Sequence, residues 1–265
     1  MKRWFIFLPV LAIIFTFTTS ASAISNKPIH WGFKKGSKGK QADAGAEYEA
    51  LLEKYDAFYK GNADDKILYL TFDNGYENGY TEKVLDILKE EQVPATFFVT
   101  GHYLRTAEKI AKRMVDEGHI IGNHSWSHPD LTEVSDEKLR RELELVEEET
   151  ARITDQEYMV YLRPPRGIIS ERTLKLAKEE GYTHVLWSLA FKDWNIKAQK
   201  GASYAYDSIM KQVHPGAVIL LHTVSKDNAD ALKKVIKDLK KDGYEFKSLD
   251  DYMLREKINN PLFQQ

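Results

Sequence analysis

Ile67-Leu68-Tyr69-Leu70-Thr71-Phe72 is an unbroken run of aliphatic, aromatic and β-branched residues, and it stops at Asp73-Asn74-Gly75. The run reads as a strand, and the three residues after it carry strong turn chemistry. The same rhythm repeats downstream. Further strands are expected at Ala95–Val99, His119–Ile121, Tyr161–Arg163, His184–Trp187, Ala217–Leu221 and Tyr244–Phe246. Helical periodicity fills most of the gaps. Leu139, Leu143, Val146, Thr150 and Ile153 predict a helix over 136–153; Ala229, Leu232, Val235, Ile236 and Leu239 predict one over 228–241. Gly118, Gly181 and Gly243 each stand between a helical pattern and a strand, where a left-handed residue ends the helix. Alternation of this kind predicts an α/β fold, an irregular (β/α) barrel of about seven parallel strands.

Outward from this unit, residues 24–66 read as an N-terminal extension. Glycines and lysines make 32–40 loop-like, and Tyr48, Leu51, Leu52, Tyr55 and Phe58 predict one helix over 46–59 packed on the main domain. The domain itself is expected over 67–255, with a tail at 256–265. At the other end, Lys2 and Arg3 precede the apolar run Trp4–Phe17, and Ala21-Ser22-Ala23 follows. This is the pattern of a secretory signal peptide over 1–23, cleaved after Ala23; a retained anchor is the alternative. The chain is therefore expected to be exported, with no membrane span after cleavage.

Composition narrows the chemistry. Lys+Arg 38 against Asp+Glu 40 gives a net charge of −2, so bulk charge offers nothing to nucleic acid. The absence of cysteine removes disulfides, thiolate zinc sites, iron–sulfur clusters and a cysteine nucleophile together. Any metal must be held by His, Asp, Glu or Asn.

Sites in parallel α/β folds form at the carboxyl ends of the strands. Reading the residues there gives Asp73 and Asn74, then His124-Ser125-Trp126-Ser127-His128, then Arg163-Pro164-Pro165-Arg166, then Asp193-Trp194, then His222. Each has an ordinary alternative. Asp73 can cap a turn, the His124/His128 pair can be a surface accident, and His222 can be a core histidine. Arg163 and Arg166 can be rim ion-pair partners, and Trp187 and Trp194 can be plain core. The His124/His128 spacing also suits two imidazoles on one metal, whether on a helical turn or an irregular loop. All the ordinary readings must hold at once on one rim, and together the residues form a hydrolytic set.

These motifs, in this order, resemble those of the polysaccharide deacetylases, carbohydrate esterase family 4, over roughly 67–250. Thr71-Phe72-Asp73-Asn74-Gly75 is similar to the first motif, His124–His128 to the second, Arg163–Arg166 to the third, Asp193-Trp194 to the end of the fourth, and Leu220-Leu221-His222 to the fifth. Within the family the chain looks closest to the delta-lactam-forming muramic acid deacetylases of spore-forming bacteria. That likeness lies in Asn74, in the Arg-Pro-Pro-Arg-Gly form and in Pro28-Ile29-His30-Trp31-Gly32-Phe33.

The resemblance implies hydrolysis of the N-acetyl group of N-acetylmuramic acid in peptidoglycan, after an amidase has removed the peptide, on the way to the muramic delta-lactam of spore cortex. Other N-acetylglucosamine polymers, or a non-catalytic glycan-binding role, are the alternatives. It implies Asp73 as general base, Arg163 as its partner, and His222 as general acid oriented by Asp193. It also implies Arg166 at the oxyanion, and Trp194 and Leu220 along the acetyl slot. A divalent ion, zinc or similar, would sit on His124, His128 and Asn74. The expected compartment is the cell wall or spore cortex, and the expected state a monomer. Three departures stand out. Asn74 replaces the usual second Asp, Ala190 replaces an Asp before Asp193, and Arg166 replaces an aromatic residue.

Overall fold

The computed structural model describes residues 24–259; the expected signal peptide (1–23) and the end of the expected tail (260–265) lie outside the described residues. A curled, seven-stranded parallel sheet forms the centre. Its strands are β1 (Ile67–Asn74), β2 (Ala95–Val99), β3 (Ile120–Asn123), β4 (Tyr161–Leu162), β5 (Thr183–His184), β6 (Ala217–Leu221) and β7 (Glu245–Phe246). The order is β5-β4-β3-β2-β1-β6, with β7 beside the start of β1. The expected α/β architecture is observed. Every residue of β1 is buried, which is why its sequence shows no polar alternation.

The two sheet edges, β5 and β6, are joined by isolated bridges rather than a ladder. Leu189 pairs Ile219 near the carboxyl end, while Phe58 pairs Val185 and Lys60 pairs Ala217 lower down. The N-terminal segment therefore fills the seam of the barrel. This corrects one expectation. The helix predicted over 46–59 runs only over Ala46–Lys54, because Asp56 turns left-handed (φ 52°) and releases Phe58. Phe58 then stacks on Tyr252 at 3.9 Å, and its N–H and C=O bond to His184 O and Leu186 N. Barrel-base packing takes the apolar residue that periodicity assigned to the helix.

Other differences are small and have local causes. β1 extends past Phe72, because Asp73 and Asn74 pair with Phe98 and Val99. Strand pairing thus wins over Asp-Asn-Gly turn chemistry. The strand expected over 184–187 pairs with β4 only at Thr183–His184, after which the chain crosses to Phe58 and β6. The helix Asp136–Ile153 matches its prediction, and the last long helix starts two residues early, at Lys226, where Ser225 caps it. Gly118, Gly181 and Gly243 all have φ near +80°, as helix exits require. No helix among the described residues is long and apolar enough to cross a membrane.

Candidate active site

The carboxyl ends of β1, β3, β4 and β6, with the loop after β5, converge on two adjoining cavities of about 600 and 840 Å³. Asp73, His124, His128, Trp194 and His222 line both. Arg166 and Leu220 line the larger one, while Arg163, Asp193 and Asn74 are buried. All ten residues singled out in the sequence thus lie at or just behind one rim.

Two charge pairs face each other across it. Arg163 has no exposed surface; its Nη1 donates to Asp73 Oδ1 at 2.9 Å. Its Nε donates to Val185 O at 3.0 Å, and its guanidinium lies 4.1 Å over the Phe98 ring. Burial alone pushes the Asp73 carboxyl up. The Arg163 charge above all overrules it and holds Asp73 below the usual carboxylate range. Asp73 is therefore held ionised although it is largely buried.

His222 has the opposite bias. Asp193 accepts its Nδ1–H on Oδ1 at 2.8 Å and its backbone N–H on Oδ2 at 2.9 Å. Asn228 Nδ2 also donates to Oδ2. Burial pushes the imidazole down, but the charge and hydrogen bond of Asp193 more than offset this, so His222 is raised. One group is thus set to accept a proton and the other to give one.

The His124–His128 segment is an irregular loop, not a helical turn. Ser125 and His128 both have positive φ, 63° and 57°. Asn123 Oδ1 accepts Ser125 N–H, and Ser125 Oγ accepts His128 N–H. Glu142, fully buried on the helix Asp136–Ile153, accepts Ser127 N–H and Ser127 Oγ–H, both at 2.7 Å, and pairs with Lys138. The two rings end 4.9 Å apart. Burial lowers His124, and burial above all lowers His128 to about 4, so both are neutral near pH 7.

The donor set fits a cation. His124 Nδ1 contacts the carbonyl of Arg163 at 2.8 Å, so the proton sits on Nδ1 and Nε2 keeps its lone pair. That lone pair faces Asp73 Oδ2 at 3.6 Å. Asn74 Nδ2 donates to Thr223 Oγ1 at 2.7 Å, while its Oδ1 is buried without a partner. Two facing acceptor atoms, His124 Nε2 and Asp73 Oδ2, are what a bound cation would satisfy, while Asn74 lies behind the rim and lines neither cavity. Among the described residues no group of three or more His, Cys, Asp or Glu is arranged to hold a metal.

Sequence reading missed several contributors. Glu142 and Asn228 lie within helical patterns where nothing marks them. Phe33 and Lys35 reach the larger cavity from the N-terminal segment, and Tyr76 and Trp126 line the smaller one. Trp194 is 53% exposed, which removes its reading as plain core.

A model described as "Polysaccharide deacetylase" matches residues 60–185. The chain is 56% identical to the peptidoglycan-N-acetylmuramic acid deacetylase PdaA of Bacillus subtilis, over 91% of this chain and 92% of that one. The chain belongs to the polysaccharide deacetylases. Among solved structures it is similar to B. subtilis PdaA, a family 4 carbohydrate esterase, with a TM-score of 0.87, 57% identity, and coverage of 88% of this chain and all of that one. It is also similar to a family 4 carbohydrate esterase of Bacillus anthracis, with a TM-score of 0.75, 54% identity, and coverage of 88% and 99%. The matched family segment ends before Asp193 and His222, so the acid half of the rim rests on the geometry described above.

Proposed function

We propose that this chain hydrolyses the N-acetyl group of N-acetylmuramic acid in peptidoglycan strands from which the peptide has been removed, a step towards the muramic delta-lactam of spore cortex. The observation that carries it is the pairing of an Arg-held carboxylate with an Asp-held imidazole across one groove. Its similarity to PdaA supports the sugar assigned.

Amide hydrolysis needs a nucleophilic water, a stabilised oxyanion and a protonated amine leaving group. Asp73 takes the proton from water, and Arg163 keeps it ionised between turnovers. The Arg166 N–H binds the oxyanion. His222 protonates the leaving nitrogen, with Asp193 fixing its ring. Trp194 and Leu220 enclose the acetyl methyl. His124, His128 and Asn74 would hold a divalent ion, zinc or similar, whose charge polarises the carbonyl and lowers the pKa of water. A neutral amide in the place of a carboxylate makes this set less anionic, so the ion is held loosely. The signal sequence directs the protein out of the cell, to the wall or the cortex.

Mass spectrometry of peptidoglycan fragments after incubation, with and without prior amidase treatment, tests this. Loss of one acetyl from muramic residues, faster after peptide removal, is expected. Acetyl loss confined to glucosamine would reassign the substrate, and tight binding without acetate release, with metals supplied, would make the chain a glycan-binding module.

A further inference from the structure

The larger cavity carries positive charge that the hydrolytic set does not use. Lys35, Arg166 and Lys192 all line it, and none of them forms a salt bridge among the described residues. The only carboxylate among the lining residues is Asp73, already held by Arg163. The smaller cavity has no Lys or Arg in its lining and presents Tyr76 and Trp126 instead. The groove is therefore asymmetric in charge: Lys and Arg line only the larger cavity, which Phe33, Trp187, Phe191 and Trp194 also make no less aromatic than the smaller one.

The cationic side is assembled deliberately from three places in the chain. The N-terminal segment pairs Ile29 and His30 antiparallel with Ile169 and Ile168, directly after the Arg166 turn. Trp31 N–H donates to Gly167 O at 2.8 Å, and its Nε1 donates to Trp187 O at 3.0 Å. Gly167 leaves no room for a side chain, since an added Cβ would lie 2.7 Å from the Trp187 ring. Arg166 itself is held left-handed, at φ 59°. This bracing sets Lys35 at the cavity, where its Nζ lies 3.4 Å from Ala190 O. Lys192 lies on the Trp194 ring at 5.1 Å, a contact that orients the ammonium without neutralising it.

The geometry points to Lys35, supplied by the N-terminal segment, and Lys192 as substrate-binding residues that, with Arg166, receive a carboxylate attached to the sugar being deacetylated. This rests on the deacetylase reading and deepens it. Muramic acid differs from glucosamine by its lactyl ether, which ends in a carboxylate once the peptide is gone. A rim of uncompensated cations separates that group from an uncharged or peptide-extended one. It also fixes which way the strand lies, with the lactyl group on the cationic side and the neighbouring sugar against Tyr76 and Trp126.

The test uses the secreted chain with metal supplied, and two glucosamine–muramic oligosaccharides. One carries the free lactyl carboxylate and the other its methylamide. Lys35→Gln and Lys192→Gln are each expected to lower kcat/KM on the carboxylate glycan by about five-fold more than on the methylamide, mainly through KM. Lys35→Arg should regain most of the loss, and the wild-type preference should shrink as salt rises. Thermal melts of the variants should match the wild type, since both lysines are at the surface. Equal losses on the two glycans, or an Arg variant no better than Gln, would overturn the assignment. Wild-type deacetylation without any carboxylate preference would overturn it too, while leaving the deacetylase reading standing. No acetate release from either glycan would remove both.

Discussion

Asp193→Asn is the sharpest probe of the acid half of the site. Asp193 is nearly fully buried, and its two oxygens have unequal surroundings. Oδ2 takes two donors, the His222 backbone N–H and Asn228 Nδ2. Oδ1 takes only the His222 ring, at 2.8 Å. An asparagine must keep its carbonyl on the two-donor side, because turning it would put an NH₂ against two N–H groups. Its NH₂ then faces His222 Nδ1, which can only accept, and the ring proton moves to Nε2. The imidazolium is disfavoured twice, by lost charge and by opposed donors. A unit charge about 4 Å away is worth ~4 kcal/mol at an effective dielectric of 20, roughly halved here because the His222 side chain is partly solvated. A hydrogen bond to a charged group adds ~1.5–3 kcal/mol. Together these predict a fall in kcat of about 10²–10⁴, the range a positioned acid contributes. The direction with pH follows from the raised His222. In the wild type, activity falls on the alkaline side as His222 deprotonates, and in the variant that limb moves to lower pH. Stopped assays of acetate release from pH 5 to 9, with melts to confirm folding, measure both. A folded variant with kcat within ten-fold of wild type and an unmoved alkaline limb would refute His222 as the proton donor.

Other outcomes follow from the same contacts. Arg163→Met leaves Asp73 buried without its cation, so unfolding in urea should show a loss of about 3–5 kcal/mol, and the acid limb of the rate should move to higher pH. Asn74→Asp adds a negative charge to the proposed ligand set, so calorimetric titration with zinc should show at least about ten-fold tighter binding; unchanged affinity would take Asn74 out of that set. Burial holds His119 down to about 4 and His184 down to about 3, with no hydrogen-bond partner on either ring nitrogen of His119. Both are lowered below the unfolded value near 6.5, so their contribution is complete above that pH and is lost as pH falls towards 4 for His119 and towards 3 for His184. The slope is up to ~1.4 kcal/mol per pH unit for each histidine. Melting temperatures should therefore drop between pH 7 and pH 5, and His119→Phe should flatten the slope.

The parts of the molecule that were legible in the sequence obey one local rule at a time. β1, β2 and β6 are short apolar runs bounded by polar residues, and each is fully buried where expected. The helix Asp136–Ile153 carries its capping Ser135 and an apolar stripe, and both are used. The ends of elements were harder, because they are decided by distant partners. Phe58 leaves its helix for Val185 and Tyr252, contacts separated in sequence by more than a hundred residues. Glu142 looked like one acid among many on a polar helix, yet it clamps the loop that carries the two histidines. Lys35 looked like loop charge, and only the pairing of Ile29 and His30 with Ile168 and Ile169 brings it to the cavity.

Local rules fail most clearly at the site itself. Ser125, His128 and Arg166 are three of the six non-glycine residues with positive φ among the described residues. Each carries a cost that a residue of ordinary conformation would avoid, on the order of 1 kcal/mol or more. The surroundings hold all three in place. Asn123 and Glu142 pin the loop containing Ser125 and His128, and Trp31 pins the turn after Arg166. That is why the His124–His128 spacing left a helical turn and an irregular loop equally open. The conformation is imposed largely by hydrogen bonds from Asn123 on β3 and Glu142 on the helix Asp136–Ile153, which lie outside the five residues. A substitution that relaxes this strain, such as His128→Gly or Arg166→Gly, removes the functional side chain with it. Stability and activity are opposed here; buried Glu142 and Asn123 keep one strained loop in place, and partly buried Trp31 keeps the other.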